Sequence, residues 1–155
     1  MNAKTSFERQ ITGTNFVFFG GSAGMGKAAA LALGERGANV LIVGRGYAAG
    51  EAAVKDVLEA GAASAQFLSG DLSTVAGIVS VADAGRAWRP KLHGIMHTAM
   101  TASKERRDTV DGFEFSFALQ YLARATLNRL LVDRLAASGD GRIVHIGGDV
   151  PPFIK

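Results

Sequence analysis

The sequence predicts a three-layer, doubly wound α/β domain, in which a parallel sheet of strand order 3-2-1-4-5 carries helices on both faces. Two observations support this fold class. Apolar segments rich in β-branched residues alternate with longer amphipathic segments, an alternation typical of consecutive βαβ units. The first apolar segment also ends directly at a glycine-rich turn that precedes a helical segment. We therefore expect a ligand crevice between strands 1 and 4, where the strand order reverses.

Strands and helices are predicted to alternate along the chain. The strands are short runs of apolar, β-branched and aromatic residues, at residues 15–19, 39–43, 64–68, 92–97 and 142–146. The helices are longer segments with helical spacing of apolar residues, at residues 25–36, 48–60, 75–88 and 113–137. Gly37, Gly61 and Gly139 follow the first, second and fourth helices, and Pro90 follows the third, so each helix has a stop signal. Residues 98–112 are expected to form a surface loop.

Length and composition exclude several classes of protein. The chain has 155 residues, 48% of them apolar, which suits one domain over residues 1–155. The net charge of +3 is spread along the chain, so no nucleic-acid-binding stripe is predicted. Cysteine is absent, which excludes disulfides and thiolate metal sites and fits a reducing cytoplasm. No apolar segment reaches membrane-spanning length and the three histidines lie in different elements, so we expect a soluble, cytoplasmic protein without a metal site.

The glycine-rich turn at residues 20–26 indicates a phosphate-binding site. Gly20 and Gly24 can adopt positive φ and let a ligand approach the backbone, while the amides at the start of the next helix attract anions. One interpretation is a nucleoside-triphosphate loop, because residues 21–27 match G-x-x-x-x-G-K. Ala28 argues against it, because a Ser or Thr at that position should bind magnesium.

Two other spacings describe the same turn. Gly24, Gly26 and Ala29 match the general dinucleotide pattern G-x-G-x-x-A, but the first glycine would then lie five residues past the strand. In the spacing Gly20-x-x-x-Gly24-x-Gly26, the first glycine lies at the end of the strand and the last two at the start of the helix.

This last spacing resembles the first turn of the short-chain dehydrogenase/reductase family, which reads T-G-x-x-x-G-x-G. The resemblance continues through E-R-G-A-N-V at residues 35–40, and residues 109–114 and 117–122 resemble the long central helix of the retinol-dehydrogenase-like branch. It covers nearly the whole chain and implies a Rossmann-like domain of a carbonyl or alcohol oxidoreductase. Members of the family are longer, so the resemblance also implies that the family's last strands and substrate-binding part are missing here.

The resemblance implies a set of cofactor-binding residues after the first four strands. They are Gly20, Ser22, Gly24, Met25, Gly26, Arg45, Asp71, Leu72, His97 and Ala99. NAD-preferring members carry an acid near Arg45, whereas a guanidinium can pair with a 2′-phosphate, so NADP is expected and NAD is the alternative. As a solvated loop cation, Arg45 would have no such role. Asp71 and Leu72 resemble the pair beside the adenine, although Asp71 would equally serve as a turn residue or helix cap ahead of Ser73 and Thr74.

The same resemblance locates the family's catalytic tetrad of Asn, Ser, Tyr and Lys, in which the tyrosine is the general acid/base. Gln120 occupies the Asn position, and Gly147 and Gly148 occupy the candidate Ser positions. Neither tyrosine is followed by a lysine four residues later. No catalytic residue is therefore assigned, and this chain alone is expected to be inactive.

Two strand ends depart from the family's letters. Residues 97–100 stand in the place of N-N-A-G, of which only Ala99 is kept. Phe19 holds the place of the threonine whose hydroxyl braces the glycine turn in the family. We therefore expect backbone geometry and burial of the Phe19 ring to hold that turn instead.

The sequence leaves three functions open. The first is an NADP(H)-binding oxidoreductase with an unidentified small-molecule substrate. The second is a non-catalytic nucleotide-binding or interaction module, and the third is a nucleotidase that depends on Lys27. A homo-oligomer is also expected, because the family's long helix packs against a partner subunit and the fifth strand would form an exposed edge.

Overall fold

The sheet has the predicted topology. The computed structural model describes residues 10–101 and 105–148, and within them five parallel strands are hydrogen-bonded in the order β3-β2-β1-β4-β5. They are β1 (Asn15–Phe19), β2 (Asn39–Gly44), β3 (Ser64–Ser69), β4 (Gly94–His97) and β5 (Arg142–His145). The predicted fourth strand began at residue 92. In the structure the Leu92 N–H donates to the carbonyl of Arg134, in the last helix, and the strand begins at Gly94.

The helices also follow the predicted alternation. They are α1 (Gly24–Gly34), α2 (Tyr47–Glu59), α3 (Val75–Trp88), α4 (Phe115–Phe117) and α5 (Ala123–Ala136), with a π-helical segment at Ala118–Leu122 between the last two. The sequence predicted one helix over residues 113–137. It begins at Phe115 because the Glu114 carboxylate accepts hydrogen bonds from the N–H groups of Ser116 and Phe117, at 2.9 and 2.7 Å. None of these helices is long and apolar enough to cross a membrane.

Successive strand residues face opposite helix layers, which confirms the three-layer architecture. On one face, strand residues pack with α3 and α5 in a core that includes Val17, Phe19, Val43, Ile95, Ile78, Leu127 and Leu131. On the other face, strand residues pack with α1 and α2 in a core that includes Phe18, Val40, Ile42, Ala30, Ala53 and Val57. The two cores fix both helix layers relative to the carboxyl ends of the strands.

β5 forms one edge of the described sheet. It pairs in parallel with β4 from Gly94 and Arg142 to His97 and His145. All four of its residues are exposed, in contrast to the buried central strands. An exposed strand edge can pair with another chain.

Candidate functional site

A cleft of about 560 Å³ opens at the carboxyl ends of β1 and β4, where the strand order reverses. Eight of the ten predicted cofactor-binding residues line it, namely Gly20, Ser22, Gly24, Met25, Gly26, Arg45, Leu72 and Ala99. Asp71 and His97 are not among the lining residues. The cleft also takes in Thr98 and Leu119, which the sequence did not single out. The structure thus brings together most of the predicted set, whose binding role stays a prediction.

The glycine turn is packed so closely that three of its positions, Gly20, Gly21 and Gly26, have no room for a side chain. Gly20 has φ +103°, and a Cβ there would lie 2.4 Å from the backbone nitrogen of Ala99. A Cβ on Gly26 would lie 2.5 Å from the Gly20 carbonyl oxygen. Gly24, at φ +54°, has open space around it. Gly20 and Gly26 are therefore required by close approach of the turn to α1 and to the end of β4.

The start of α1 presents backbone amides to the cleft. The residue before the helix, Ala23, has an extended backbone, and no side-chain hydrogen bond caps the helix. Ala23, Gly24, Met25 and Gly26 all line the cleft. Uncapped amides together with the positive end of the helix dipole favour an anion at this point.

The hydroxyl of Thr98, rather than the backbone alone, holds the glycine turn. Thr98 Oγ1 donates to the carbonyl oxygens of Gly20, at 2.9 Å, and Phe19, at 3.3 Å. The expectation that backbone geometry and the buried Phe19 ring suffice is therefore incomplete, because a hydroxyl is supplied from the neighbouring strand end. The position of Thr98, directly after β4 at the reversal point, was the available sequence signal.

Asp71 lies in the turn that precedes α3. Its Oδ1 accepts hydrogen bonds from the Ser73 N–H, at 2.9 Å, and the Ser73 hydroxyl, at 2.7 Å, while Thr74 caps α3 through the Gly77 N–H. Partial burial raises the pKa of Asp71, but these hydrogen bonds and the charges of Arg45 and Arg107 outweigh it and lower that pKa. Asp71 is therefore an ionised turn residue beside the cleft, near the cation that was predicted to read the 2′-phosphate.

The His97 side chain lies beneath the cleft. It is 2% exposed and stacks between Phe19 and His145, with ring centroids 4.9 and 4.7 Å away. Its Nε2 donates to Asn128 Oδ1 at 2.8 Å, and Asn128 Nδ2 in turn donates to His145 Nε2 at 3.2 Å. Burial is the main reason that the pKa of His97 falls to about 4; the hydrogen bond with Asn128 opposes this shift, and the nearby His145 and Arg124 add to it. His97 is a neutral core residue whose side chain does not face a ligand in the cleft.

The helix beside β4 and β5 holds both strand ends by side-chain donors. Gln120 Nε2 donates to the Thr101 carbonyl at 3.0 Å. Arg124 donates to the Ile146 carbonyl at 3.0 Å and to the Ala99 carbonyl at 3.4 Å. The sequence signal for Arg124 was its spacing, one helical turn after Gln120. Both residues act on backbone carbonyls here.

Neither tyrosine has the setting of a general acid/base. Tyr121 is 64% exposed and stacks on Phe117, with ring centroids 5.2 Å apart. Tyr47 is 68% exposed and makes an edge contact with Phe67, with centroids 6.0 Å apart. Both contacts are packing contacts between aromatic rings at the surface.

Lys27 is not positioned to bind phosphate in the cleft. Its Nζ forms an ion pair with Asp56 Oδ2 of α2 at 2.5 Å. Lys27 does not line the cleft, whereas its neighbour Gly26 does. A nucleoside-triphosphate loop needs this lysine at the phosphates, so the geometry disfavours the nucleotidase hypothesis.

The fold and the cleft together define a Rossmann-like domain, the class of doubly wound proteins that bind ligands where the strand order reverses. The family model described as short chain dehydrogenase matches residues 15–150. The chain therefore belongs to the short-chain dehydrogenase family.

Known relatives are similar over most of this chain. Retinol dehydrogenase 12 of Mus musculus is 34% identical over 139 residues, which are 88% of this chain and 44% of that protein. A short-chain dehydrogenase from Sphingobium yanoikuyae in complex with NADPH superposes with a TM-score of 0.75 at 25% identity, over 87% of this chain and 54% of that one. A metagenomic short-chain oxidoreductase in complex with NADP superposes with a TM-score of 0.79 at 23% identity, over 92% and 66%. The chain spans less than half the length of the mouse relative.

Proposed function

We propose that this chain binds NADP(H) in the cleft between β1 and β4 as the cofactor-binding part of a carbonyl or alcohol oxidoreductase. The observation that carries the proposal is the junction of the crowded Gly20 and Gly26 with the uncapped start of α1 in that cleft. Such a junction fits a pyrophosphate, because the backbone can approach the ligand and the amides can donate to it. The NADPH and NADP complexes of the two similar structures support the choice of cofactor.

Arg45 is the residue we propose to select NADP over NAD. It lines the cleft directly after β2. Ser22 lines the same cleft and lies close to Gly44, the residue before Arg45, because a Cβ on Gly44 would lie 3.5 Å from Ser22 Oγ. A guanidinium and a hydroxyl at one rim can both donate to a 2′-phosphate.

Replacing Arg45 is expected to weaken NADPH binding selectively. In Arg45→Ala the Kd for NADPH rises about tenfold, because one charge-assisted contact is worth about 1.4 kcal/mol at a solvated rim. The Kd for NADH changes by less than about twofold, since NADH has no 2′-phosphate. Titration of the bound nicotinamide fluorescence with each cofactor measures both constants.

Lys55→Ala is the matched control, because it removes one positive charge from the surface of α2, where Lys55 is 74% exposed. It is expected to leave both constants unchanged. Equal weakening of NADPH and NADH by Arg45→Ala would contradict a 2′-phosphate contact. A wild-type chain that binds neither cofactor at millimolar concentration would refute the proposed function.

When bound, NADP(H) supplies or accepts a hydride at its nicotinamide ring. The amides of α1 would hold its phosphates, while Leu72 and Leu119 border the cleft with apolar surface and Ala99 lines it beside β4. The tetrad positions carry Gln120, Gly147 and Gly148, so turnover of a substrate would require a donor other than the family's Asn and Ser.

A non-catalytic nucleotide-binding module is the second candidate, and the engagement of Gln120 with the Thr101 carbonyl favours it. An amide already committed to the backbone is poorly placed to take the part of the family's Asn. Saturable NADPH binding without turnover of a broad carbonyl and alcohol panel would select this candidate. Turnover would select the oxidoreductase.

We also propose that the chain self-associates through a row of three aromatic side chains, one just before its last helical stretch and two at the start of that stretch. Phe113, Phe117 and Tyr121 are 38%, 45% and 64% exposed. Their rings contact one another in sequence, with centroids 6.3 and 5.2 Å apart. A second copy would bury this apolar row, which is otherwise costly to leave in water.

Phe117→Ser is expected to shift the chain toward monomer, raising the dimer dissociation constant at least about tenfold because a buried aromatic anchor is lost. Sedimentation velocity over a concentration series measures the shift. Val79→Ser on α3, where the side chain is also 43% exposed, is the control and should leave association unchanged. A wild-type chain that stays monomeric throughout the series would contradict self-association.

A further inference from the structure

We propose that Thr98 is the positioning residue that holds the glycine turn in its ligand-binding shape, and that it does so through its hydroxyl. The inference rests on the proposed function, because it assigns how the phosphate-binding turn is kept in place. Thr98 Oγ1 reaches the Gly20 carbonyl oxygen at 2.9 Å. Gly20 is the first residue of the turn, so the bond links the start of the turn to the end of β4.

On the β4 side, the backbone hydrogen bonds reach Phe19, the residue before the turn, whereas on the β2 side the Gly20 N–H donates to the Val43 carbonyl at 2.9 Å. The N–H groups of Thr98 and Ala99 both donate to the Phe19 carbonyl, at 2.9 and 2.8 Å. Phe19 is the last residue of β1, and its N–H and carbonyl are part of the sheet. The hydroxyl of Thr98 continues this anchoring one residue further, onto Gly20.

Two of the crowded glycines converge on the same oxygen. A Cβ on Gly20 would lie 2.8 Å from Thr98 Oγ1, and a Cβ on Gly26 would lie 2.5 Å from it. Thr98 Oγ1 therefore lies where the first and last glycines of the turn meet. Its size and bonding set the distance between the end of β4 and the start of α1, whose amides face the cleft.

Phe19 cannot provide this link. Its ring is 1% exposed, packs in the core and stacks on His97. A hydrocarbon ring has no donor for the Gly20 carbonyl. Thr98, at the carboxyl end of the neighbouring strand β4, supplies the hydroxyl donor that Phe19 lacks.

The test compares Thr98→Val, Thr98→Ser and Thr14→Val. Valine keeps the branched shape but puts a methyl near the Gly20 carbonyl, at a distance shorter than ordinary carbon contacts, whereas serine keeps the hydroxyl. Thr14 is the matched control, because its hydroxyl also donates to a backbone carbonyl, that of Ile11, ahead of the opposite end of β1. We expect the Kd for NADPH to rise about tenfold in Thr98→Val and by less than about twofold in the other two variants.

A cofactor-free measurement separates this inference from the proposed function. The Gly20 amide donates to the Val43 carbonyl of β2, and the Lys27 amide donates to the Ala23 carbonyl at the start of α1. Their hydrogen exchange, followed by NMR, should be about tenfold faster in Thr98→Val than in Thr14→Val. If the wild type binds no NADPH but exchange is faster in Thr98→Val, the role of Thr98 in holding the turn is supported and the proposed function is refuted.

Three results would contradict the proposed role of the Thr98 hydroxyl. One is unchanged exchange of the Gly20 and Lys27 amides in Thr98→Val. Another is NADPH binding by Thr98→Val within about twofold of wild type. The third is a loss in Thr98→Ser or in Thr14→Val as large as the loss in Thr98→Val, because the effect would then come from packing or general stability.

Discussion

Gly20→Ala is expected to raise the Kd for NADPH more than about a hundredfold, a loss of about 3 kcal/mol or more. Two costs add at this position. The φ of +103° is strained for any residue with a Cβ. The added Cβ would also lie 2.4 Å from the Ala99 nitrogen and 2.8 Å from the Ala99 Cα, which are backbone atoms that cannot rotate away. The turn must therefore move off the end of β4, and the amides of α1 move with it.

Two comparison variants separate crowding from backbone strain. Gly139 has φ +81° and open space around it, so Gly139→Ala carries the strain without the collision and should leave the Kd unchanged. Gly26 has no positive φ, so Gly26→Ala carries the collision without the strain and should weaken binding strongly. Fluorescence titration gives each Kd, and circular dichroism checks that each variant is folded. Tight binding by folded Gly20→Ala would refute a cofactor at this turn.

Acidification is expected to destabilise the fold through His97. The pKa of His97 is about 4 in the folded chain, below the 6.5 of an unperturbed imidazole, so the folded state favours the neutral ring. Its stabilisation is fully present above about pH 6.5 and is lost as the pH falls toward the folded pKa. Between about pH 7.5 and about pH 5, we expect the free energy of unfolding to fall by about 2 kcal/mol from this group.

The surroundings of His97 explain the direction. It faces Phe19 on β1, His145 on β5, and Asn128 and Arg124 on α5. None of these groups offers a negative charge to an imidazolium, and Arg124 repels it. The carboxylates with lowered pKa values, at Asp71, Glu114 and Asp133, remain ionised over this pH range and do not mask the effect.

Urea denaturation at a series of pH values measures this dependence. His97→Gln keeps an amide donor for Asn128 but cannot titrate, so it should flatten the profile. His145→Gln should remove less of the slope, because His145 is exposed although its pKa is also lowered by burial and by Arg124. A wild-type profile that stays level down to about pH 5 would show that His97 is not held neutral.

The sequence predicts the fold well because the signals for it are local and periodic. Alternating apolar runs and helical spacing identify the strands and most helices, and the glycine spacing locates the cleft. The start of the last helix was misplaced because the capping by Glu114 depends on where the preceding turn leaves its side chain. The π-helical segment at Ala118–Leu122 likewise has no signal in the spacing of apolar residues.

The candidate site is predicted only in part, because side-chain direction is a tertiary property. His97 ends a strand that borders the cleft, yet its side chain points into the core and forms a stack with His145 from a neighbouring strand. Thr98, the next residue, points the other way and braces the turn. His97, which was predicted to bind the cofactor, is a core residue, whereas Thr98, which was not singled out, lines the cleft. The contacts of Arg124 could not be predicted from the sequence either, because they depend on where the ends of β4 and β5 lie relative to α5.

Arg124 also determines a dimension of the site. A single guanidinium donates hydrogen bonds to the carbonyls of Ala99 and Ile146, which follow two different strands. The guanidinium is planar and rigid, so the spacing between these two strand ends is fixed by the width of one side chain. Arg124 thus holds the two strand ends apart at a set distance, and its hydrogen bonds go to the backbone rather than to a bound ligand. The position of α5 therefore affects the width of the cleft on this side. A shift of α5 would move the ends of β4 and β5 together, because Arg124 is bonded to both.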